Sequence, residues 1–311
     1  MNQANYRAVW DSRSGDEAAA LEAVDNSRSE TVARATGAWT ASQIRHALTI
    51  EPGDSVLELG CGAGRIGREI IPHCANWIGV DISPNMIRVA GRRLESFDGV
   101  RLEVLSGAKL SMIESSSVDK AYTVAVLCHM DKEDLFLYLR EIARVLKPGG
   151  RAYLETWNLA DLSGWQRWMY EVNFWDQADQ AGRKDVARNQ FCVPEELELY
   201  ADRAGLDRLV CFRDSPWIQL IVGKDMDHEA VESERSRLAR SRHEIAYSPL
   251  FGRLFLDSIG AIYGERHPAD VLAEFDQYPP SPEVDLYKIY LRGMWAAEPE
   301  RFGPMPESSG S

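Results

Sequence analysis

The sequence is poor in the residues and runs that mark several classes of protein. Only 5 of the 311 residues are cysteine, and none forms a C-x-x-C pair, so neither a disulfide framework nor a zinc site is expected. No apolar run reaches the length of a membrane span, and the N-terminal stretch lacks the apolar core of a signal peptide. We therefore expect a cytoplasmic protein with free thiols, no bound metal and no membrane attachment.

Basic residues are also scarce relative to acidic ones. The chain contains 35 Lys and Arg against 48 Asp and Glu, which gives a formal net charge of -13. Proteins that bind nucleic acids normally carry a basic patch, and no such patch is visible along the sequence. We therefore expect a small-molecule partner rather than a nucleic acid. The sequence leaves the oligomeric state open, a homodimer included.

Strand patterns alternate with helix patterns through the middle of the chain. The five strand patterns are Ser55–Leu59, a second run ending at Asp81, Val100–Leu105, a fourth run ending near Leu127, and Arg151–Trp157. This alternation predicts an α/β fold with a parallel sheet and helices on both of its faces. In such sheets the ligand binds outside the carboxyl ends of the strands.

The pattern changes after the fifth strand. Residues 159–190 are aromatic-rich and helical in pattern, and they are expected to form a helical lid over the ligand edge. Two closing strands follow, and helix patterns alone continue beyond Lys224. We therefore predict a domain over residues 1–224, which includes N-terminal helices, and a helical C-terminal extension over residues 225–311.

A glycine-rich loop follows the first predicted strand. The stretch VLELGCGAGRIG ends in G-x-G-x-x-G, the spacing of a loop that binds a nicotinamide or flavin dinucleotide. Glu58 precedes the first glycine by two residues, and a carboxylate there would repel a pyrophosphate. A carboxylate would instead attract the sulfonium and ammonium groups of S-adenosylmethionine. Asp81 does not discriminate, because both cofactors carry a ribose that an acid can hold.

Four segments carry a family resemblance. VLELGCGAGR, GVDISPNMI, SVDKAYTVAVLCHM and EIARVLKPGGRAYLET resemble, in order and spacing, the motifs of class I S-adenosylmethionine-dependent methyltransferases. The LKPGG turn has no counterpart in the dinucleotide fingerprint. The resemblance implies a Rossmann-like sheet that is mostly parallel with an antiparallel last strand, S-adenosyl-L-methionine as cofactor, and methylation of a small molecule.

The resemblance also assigns residues to parts of the cofactor. It implies that Glu58 lies at the methionine end, that Asp81 holds the ribose, and that Ile82 packs on the adenine. Family members have an acid after the third strand for the adenine amino group, and Ser106 stands at that place here, followed by Gly107 at adenine N1. The predicted cofactor-binding residues are Tyr6, Trp10, Glu58, Gly60, Cys61, Gly62, Gly64, Asp81, Ile82, Met86, Ser106, Gly107 and Leu127.

Several of these residues have a purely structural alternative. Tyr6 and Trp10 fit a lid over the cofactor or an ordinary hydrophobic staple of a helix. Gly64 and Gly67 fit close packing of helix on strand equally well. Tryptophans at helical spacing in the lid segment fit the wall of an acceptor pocket or a packed interface. The predicted acceptor-pocket residues are Trp157, Trp165, Trp168 and Trp175.

His129 is the predicted catalytic residue because it follows the fourth strand at the ligand edge. Imidazole titrates near neutral pH and can take a proton from a hydroxyl or an ammonium. A strand-capping histidine is the structural alternative. The sequence thus predicts methyl transfer to an N or O atom of a small molecule. The alternatives are an S-adenosylmethionine-binding sensor or partner subunit without turnover, and a nicotinamide or flavin oxidoreductase.

Overall fold

A computed structural model describes residues 3–176 and 189–306. Three N-terminal helices, α1 (Gln3–Ser12), α2 (Glu17–Asp25) and α3 (Glu30–Leu48), precede the first strand. The alternating part consists of β1 (Ser55–Leu59), α4 (Gly67–Ile70), β2 (Asn76–Asp81), α5 (Pro84–Arg93), β3 (Val100–Val104), β4 (Val118–Thr123), α6 (Lys132–Val145) and β5 (Leu146–Trp157). Short 3-10 helices lie at Ile71–His73 and Leu127–His129.

The second half of the chain begins with α7 (Leu162–Asp176) and α8 (Pro194–Arg203). Two strands, β6 (Asp207–Phe212) and β7 (Trp217–Gly223), complete the sheet. The remaining helices are α9 (His228–Arg240), α10 (Arg242–Ile245), α11 (Pro249–Ile262), α12 (Pro268–Phe275), α13 (Pro282–Ala297) and α14 (Pro299–Phe302). In the described residues, none of the helices combines the length and the apolarity that crossing a membrane requires.

The seven strands form one sheet in the order β3-β2-β1-β4-β5-β7-β6. The first five strands are parallel to their neighbours, and β7 runs antiparallel to both β5 and β6. At the centre, Leu57 of β1 pairs with Ile78 of β2 and with Ala121 of β4. The prediction of a mostly parallel, Rossmann-like sheet with an antiparallel last strand is confirmed.

The fourth strand is shorter than its apolar pattern predicts. The pattern continues to Leu127, but β4 ends at Thr123. Ala125 has a φ of 55°, in the left-handed region that interrupts a strand. The chain then turns into the 3-10 helix that ends at His129. This break turns Val124, Ala125 and Val126 out of the sheet and toward its ligand edge, where they line the cavity described below.

Helix starts in the alternating part follow local capping chemistry. The Ser83 side chain accepts a hydrogen bond from the Met86 amide, and Pro84 occupies the first turn of α5. The Trp77 ring of β2 is fully buried and lies against Gly67 and Gly79. A Cβ on Gly67 would lie 2.3 Å from that ring, so Gly67 serves the packing of helix on strand.

The C-terminal helices pack onto the sheet domain through α3 and β7. Gln43 of α3 and Gln219 of β7 both donate hydrogen bonds to the carbonyl oxygen of Ile245, at 2.9 and 2.8 Å. Val32 of α3 lies in the same apolar cluster as Phe251 and other residues of α11 and α13. The domain boundary at Lys224 stays a prediction.

Candidate active site

A cavity of about 410 Å³ lies at the carboxyl ends of the parallel strands. Its floor consists of the loops after β1, β2, β3 and β4, and β5 contributes Trp157. Residues of α1, α7 and α11 form the other walls. The cavity therefore lies at the sheet edge where an α/β fold binds its ligand, and these three helices come from outside the alternating part.

The glycine loop after β1 forms one wall of the cavity. The amides of Gly60 and Cys61 both donate to the Val80 carbonyl oxygen, at 2.8 and 3.0 Å, which ties the loop to β2. Gly60 has a φ of +76°, and a Cβ there would lie 2.3 Å from the Val126 side chain. Only glycine fits this position, because both the conformation and the close approach exclude a side chain.

Asp81 holds the glycine loop from the end of β2. One carboxylate oxygen accepts a hydrogen bond from the Gly62 amide and the other from the Ser83 amide, both at 2.9 Å. Burial raises the pKa of Asp81 to about 6, although these amide bonds act in the opposite direction. The carboxylate lines the cavity, and each oxygen has a further lone pair for a ligand hydroxyl.

Glu58 is a buried carboxylate beside the same loop. It is 4% exposed, and one oxygen accepts a hydrogen bond of 2.6 Å from the Tyr122 hydroxyl. That hydroxyl accepts a bond of 3.0 Å from Trp77 Nε1, so the carboxylate is fixed by a chain of donors. Burial raises the pKa of Glu58 to about 8. A carboxylate in this setting is stabilised by a cationic ligand.

Helix α1 covers the side of the cavity that is formed by the loops after β2 and β3. Tyr6 and Trp10 line the cavity, and the Tyr6 hydroxyl accepts a hydrogen bond of 3.1 Å from the Asp131 amide. Arg7 donates to the Leu105 carbonyl oxygen at 2.7 Å, and Asp11 accepts from the Asn85 amide at 3.2 Å. Polar contacts on two sides therefore hold α1 over the loops after β2 and β3, the position that a lid would take.

The loop after β4 places His129 at the cavity. Its ring lies edge-on against the Trp10 ring, with 4.8 Å between the ring centroids. Cys128 and Met130 line the cavity on either side of His129. Leu127 is fully buried in the sheet core and lies outside the cavity lining.

The loop after β3 differs from the predicted arrangement at one position. Gly107 lines the cavity, whereas Ser106 is exposed and is not among the lining residues. A carboxylate reaches this side of the cavity from α6 instead, on Asp134, which is 3% exposed. Asp134 Oδ1 is buried without a hydrogen-bond partner in the described residues. One turn further along α6, the Tyr138 hydroxyl donates to the Gly107 carbonyl oxygen at 2.9 Å.

The opposite end of the cavity, here called the acceptor end, is lined by Trp157, Arg167, Glu171, Asn189, Phe255, Ile259, Ile262 and Tyr263. Trp165 and Trp168 are not among these residues, because α7 turns its Arg167 and Glu171 face inward. The Trp165 side chain is 47% exposed and contacts the Trp168 ring at 5.1 Å between centroids. The Trp175 side chain lies outside the described residues.

Of the other residues predicted to bind the cofactor, four line the cavity and one does not. Cys61, Gly62, Ile82 and Met86 line the cavity. Gly64 has a φ of +74°, and a Cβ there would lie 2.9 Å from the Leu94 side chain. The missing side chain of Gly64 therefore allows Leu94 to pack under the loop. Gly64 is not among the lining residues.

Sequence reasoning missed several lining residues. Asp134 stands one turn before Tyr138 on a helix that is recognised mainly by its apolar face. Arg167 and Glu171 stand four residues apart, a spacing that indicates an ion pair on one helix face, within a segment dominated by tryptophan. The residues of α11 carried no signal, because they lie far along the chain in a plain apolar helix.

Comparisons with known proteins agree with this geometry. Residues 56–150 match the family described as a methyltransferase domain. An uncharacterized transposon protein of Streptomyces fradiae is 38% identical over 109 residues, 34% of this chain and 30% of that protein. The ubiquinone biosynthesis O-methyltransferase of Cupriavidus pinatubonensis is 29% identical over 157 residues, 50% of this chain and 61% of that enzyme. The thiol S-methyltransferase of Homo sapiens is 31% identical over 123 residues, 38% of this chain and 48% of that enzyme.

A solved structure extends the likeness of fold beyond the matched segment. The N-methyltransferase NodS of Bradyrhizobium japonicum, solved with S-adenosyl-L-homocysteine, superposes with a TM-score of 0.51 at 16% identity. The match covers 71% of this chain and 100% of that chain. The sequence match, the sheet order and the glycine loop lead to one conclusion: residues 56–150 are a methyltransferase domain, and it is built on a Rossmann-like sheet.

Proposed function

We propose that this protein transfers the methyl group of S-adenosylmethionine to an N or O atom of a small-molecule acceptor. The observation that carries this proposal is the buried Glu58 carboxylate beside the glycine loop, with its pKa raised to about 8. A cationic ligand stabilises the ionised form of this buried carboxyl, whereas a pyrophosphate would repel the ionised form and keep the group protonated. The ligand of this loop is therefore a cation rather than a dinucleotide.

The donor and acceptor groups of the cavity fit S-adenosylmethionine. Glu58 faces the methionine end, the Asp81 carboxylate can accept the two ribose hydroxyls, and Ile82 offers an apolar surface to the adenine. When bound, S-adenosylmethionine supplies a methyl carbon that the positive sulfur makes electrophilic. The chain then has to hold the acceptor in line with that carbon, and the residues of α1, α7 and α11 that line the cavity form the walls for this.

Thermal unfolding of the purified protein with single ligands tests this proposal. S-adenosylmethionine or S-adenosylhomocysteine at 100 times its dissociation constant should stabilise the fold by about 2.7 kcal/mol, and NAD or FAD should not. Stabilisation by a dinucleotide alone would overturn the proposal. Binding of S-adenosylmethionine without transfer to any compound in an acceptor library would support a sensor or partner subunit instead.

Asp81→Ala should weaken S-adenosylmethionine binding by about tenfold or more. The substitution removes a charged acceptor for the ribose hydroxyls, and each charge-assisted bond contributes roughly 1.5–3 kcal/mol. The substitution also removes the hydrogen-bond acceptor of the Gly62 amide. Asp81→Asn therefore serves as a second variant, because its side chain keeps one oxygen that can accept this bond. Asp98→Ala, at an exposed acid outside the cavity, is the control. Calorimetry that shows unchanged affinity for Asp81→Ala would remove Asp81 from the site.

We further propose that Asp134, rather than Ser106, accepts the adenine amino group. Support comes from its buried, unpartnered carboxylate oxygen near the Gly107 loop. Asp134→Ala should weaken S-adenosylhomocysteine binding by about tenfold, because a charge-assisted bond is lost. Wild type should prefer S-adenosylhomocysteine over S-inosylhomocysteine, in which an oxygen replaces the amino group, and the variant should lose that preference. A larger loss in Ser106→Ala would return the role to the loop.

A further inference from the structure

Arg167 has an unusual position at the acceptor end of the cavity. The residue is 7% exposed, and its Nη2 donates a hydrogen bond of 2.7 Å to Glu171, one turn along α7. Glu171 also accepts a bond of 2.8 Å from Asn189 Nδ2, and Asn189 Oδ1 accepts one of 3.1 Å from Trp157 Nε1. A connected polar network therefore fixes the direction of the guanidinium.

Two aromatic rings hold the same guanidinium. Its central carbon lies 5.4 Å from the centroid of the Trp157 ring and 5.2 Å from that of the Tyr263 ring. Both distances lie within the range of a cation–π contact. Trp157 ends β5 and Tyr263 follows α11, so the sheet domain and the C-terminal helices position Arg167 together.

One donor atom of Arg167 is not used by this network. Its Nη1 is buried and has no hydrogen-bond partner within the part of the chain that the structure describes. A buried guanidinium N–H without an acceptor is costly, so such groups are normally paired. Arg167 lines the cavity, and its neighbours there on α11 are the apolar Phe255, Ile259 and Ile262. The acceptor end thus combines one oriented cationic donor with an apolar wall.

The charged residues of the cavity are nearly balanced, so the choice of acceptor group depends on the donor that Arg167 leaves unused. The acids Glu58 and Asp81 face the cofactor, and Asp134 lies on the adenine side. Three arginines line the same cavity, namely Arg13, Arg65 and Arg167, and Glu171 is the acid at the acceptor end. Glu171 pairs with Nη2 of Arg167, and Nη1 has no partner in the described residues, so Nη1 is available to the acceptor. An anionic oxygen is the partner that a guanidinium N–H binds most strongly.

We propose that the methyl acceptor is a carboxylic acid with an apolar body, and that its carboxylate is bound by Arg167 Nη1. This inference rests on the proposed function for the identity of the second ligand, but the binding step needs no methyl transfer. Arg167 is then a substrate-binding residue. It selects acids over neutral compounds of the same shape, because a neutral amide forms a weaker bond to the guanidinium than a carboxylate does.

Ligand binding to the protein saturated with S-adenosylhomocysteine tests the proposal. The probes are pairs of aryl and alkyl carboxylic acids with their primary amides, which have the same size and lack the charge, and the readout is thermal shift and calorimetry. Wild type should bind the best acid about tenfold or more tightly than its amide. Arg167→Met should lose this preference while its affinity for S-adenosylhomocysteine stays near that of wild type. Arg140→Met, the same substitution at an exposed site on α6, should retain the preference.

The outcomes separate this inference from the function it rests on. Failure of wild type to bind S-adenosylhomocysteine would count against the proposed function. If wild type binds S-adenosylhomocysteine but binds acids and amides equally, or binds no acid at millimolar concentration, the carboxylate proposal is overturned. If Arg167→Met does not fold, as judged by circular dichroism, Arg167→Lys replaces it. Lysine keeps the charge without the planar fork, and it should reduce the preference for acids. An undiminished preference in that variant would also overturn the proposal.

Discussion

Replacing His129 with alanine is expected to lower the turnover of methyl transfer by about 10²–10⁴-fold, while S-adenosylmethionine affinity stays near that of wild type. That range is the typical contribution of a general base. A base is needed because a hydroxyl or an ammonium arrives protonated at the methyl carbon. Imidazole titrates near neutral pH and can take this proton during or before transfer.

The fold brings His129 to the wall of the cavity, at the ligand edge of the sheet. The left-handed Ala125 ends β4 early and turns the chain toward the cavity, so the 3-10 helix that ends at His129 lies at the ligand edge. The Trp10 ring packs edge-on against the imidazole, which limits its rotation. If the ring had only a structural role, its replacement would leave the chemistry unaffected.

The measurement compares wild type, His129→Ala and His129→Gln on an acceptor taken from a methyl-transfer screen. Glutamine keeps a hydrogen-bonding side chain of similar reach but cannot act as a base near neutral pH. Both variants should lose turnover, and both should lose the dependence of turnover on pH that a base imposes on its acidic side. Turnover within a few-fold of wild type in a folded His129→Ala protein would assign His129 a structural role and leave proximity as the source of catalysis.

The elements that repeat the period of a strand or a helix were predictable from the sequence. Strand β1 occupies Ser55–Leu59 as its apolar run predicts, and β2 ends at Asp81 as expected. These elements are buried on defined faces. Their boundaries can therefore be recognised from the order of apolar and polar residues in the sequence.

Residues that approach the cavity from distant parts of the chain were less predictable. A helical stripe shows which residues share a face but not which face points inward. The sequence analysis therefore predicts Trp165 and Trp168 of α7 as residues of the acceptor pocket. In the structure the face of α7 that carries Arg167 and Glu171 forms the wall instead. Likewise, Asp134 occupies the cavity because α6 packs beside the loop after β3, a tertiary relation that no local pattern records. The α11 wall depends on the docking of the C-terminal helices on α3, which has no local signature.

The affinity for S-adenosylmethionine is expected to rise with pH up to about pH 8 and then to level off. Burial raises the pKa of Glu58 to about 8, so this carboxyl is protonated at neutral pH in the free protein. Arg65 acts against this shift and the charge of Asp81 adds to it. A cationic ligand requires the ionised form, and binding therefore releases a proton. One released proton changes the affinity by up to about tenfold per pH unit.

The same carboxyl has the opposite effect on the stability of the free protein. Its folded-state pKa is raised above the ordinary value of 4.5, so its stabilising contribution is fully present below that pH and is lost as the pH rises toward 8. We therefore compare the unfolding temperatures of Glu58→Gln and wild type at two pH values. The difference in favour of Glu58→Gln should be larger at pH 8 than at pH 4.5. The gain is expected only without ligand, because the ligand's charge compensates the buried carboxylate in wild type.

Calorimetry at several pH values, in buffers of different ionisation enthalpy, measures both the affinity and the protons released. Wild type should release close to one proton per S-adenosylmethionine bound near pH 7, and Glu58→Gln should release far less and bind more weakly at pH 8. Asp81, whose pKa burial raises to about 6, should leave a residual slope below pH 6 in that variant. An affinity that is flat from pH 6 to pH 8 in wild type would show that Glu58 does not face the cationic part of the ligand. In that case the glycine loop would have to bind the cofactor through its backbone and Asp81 alone.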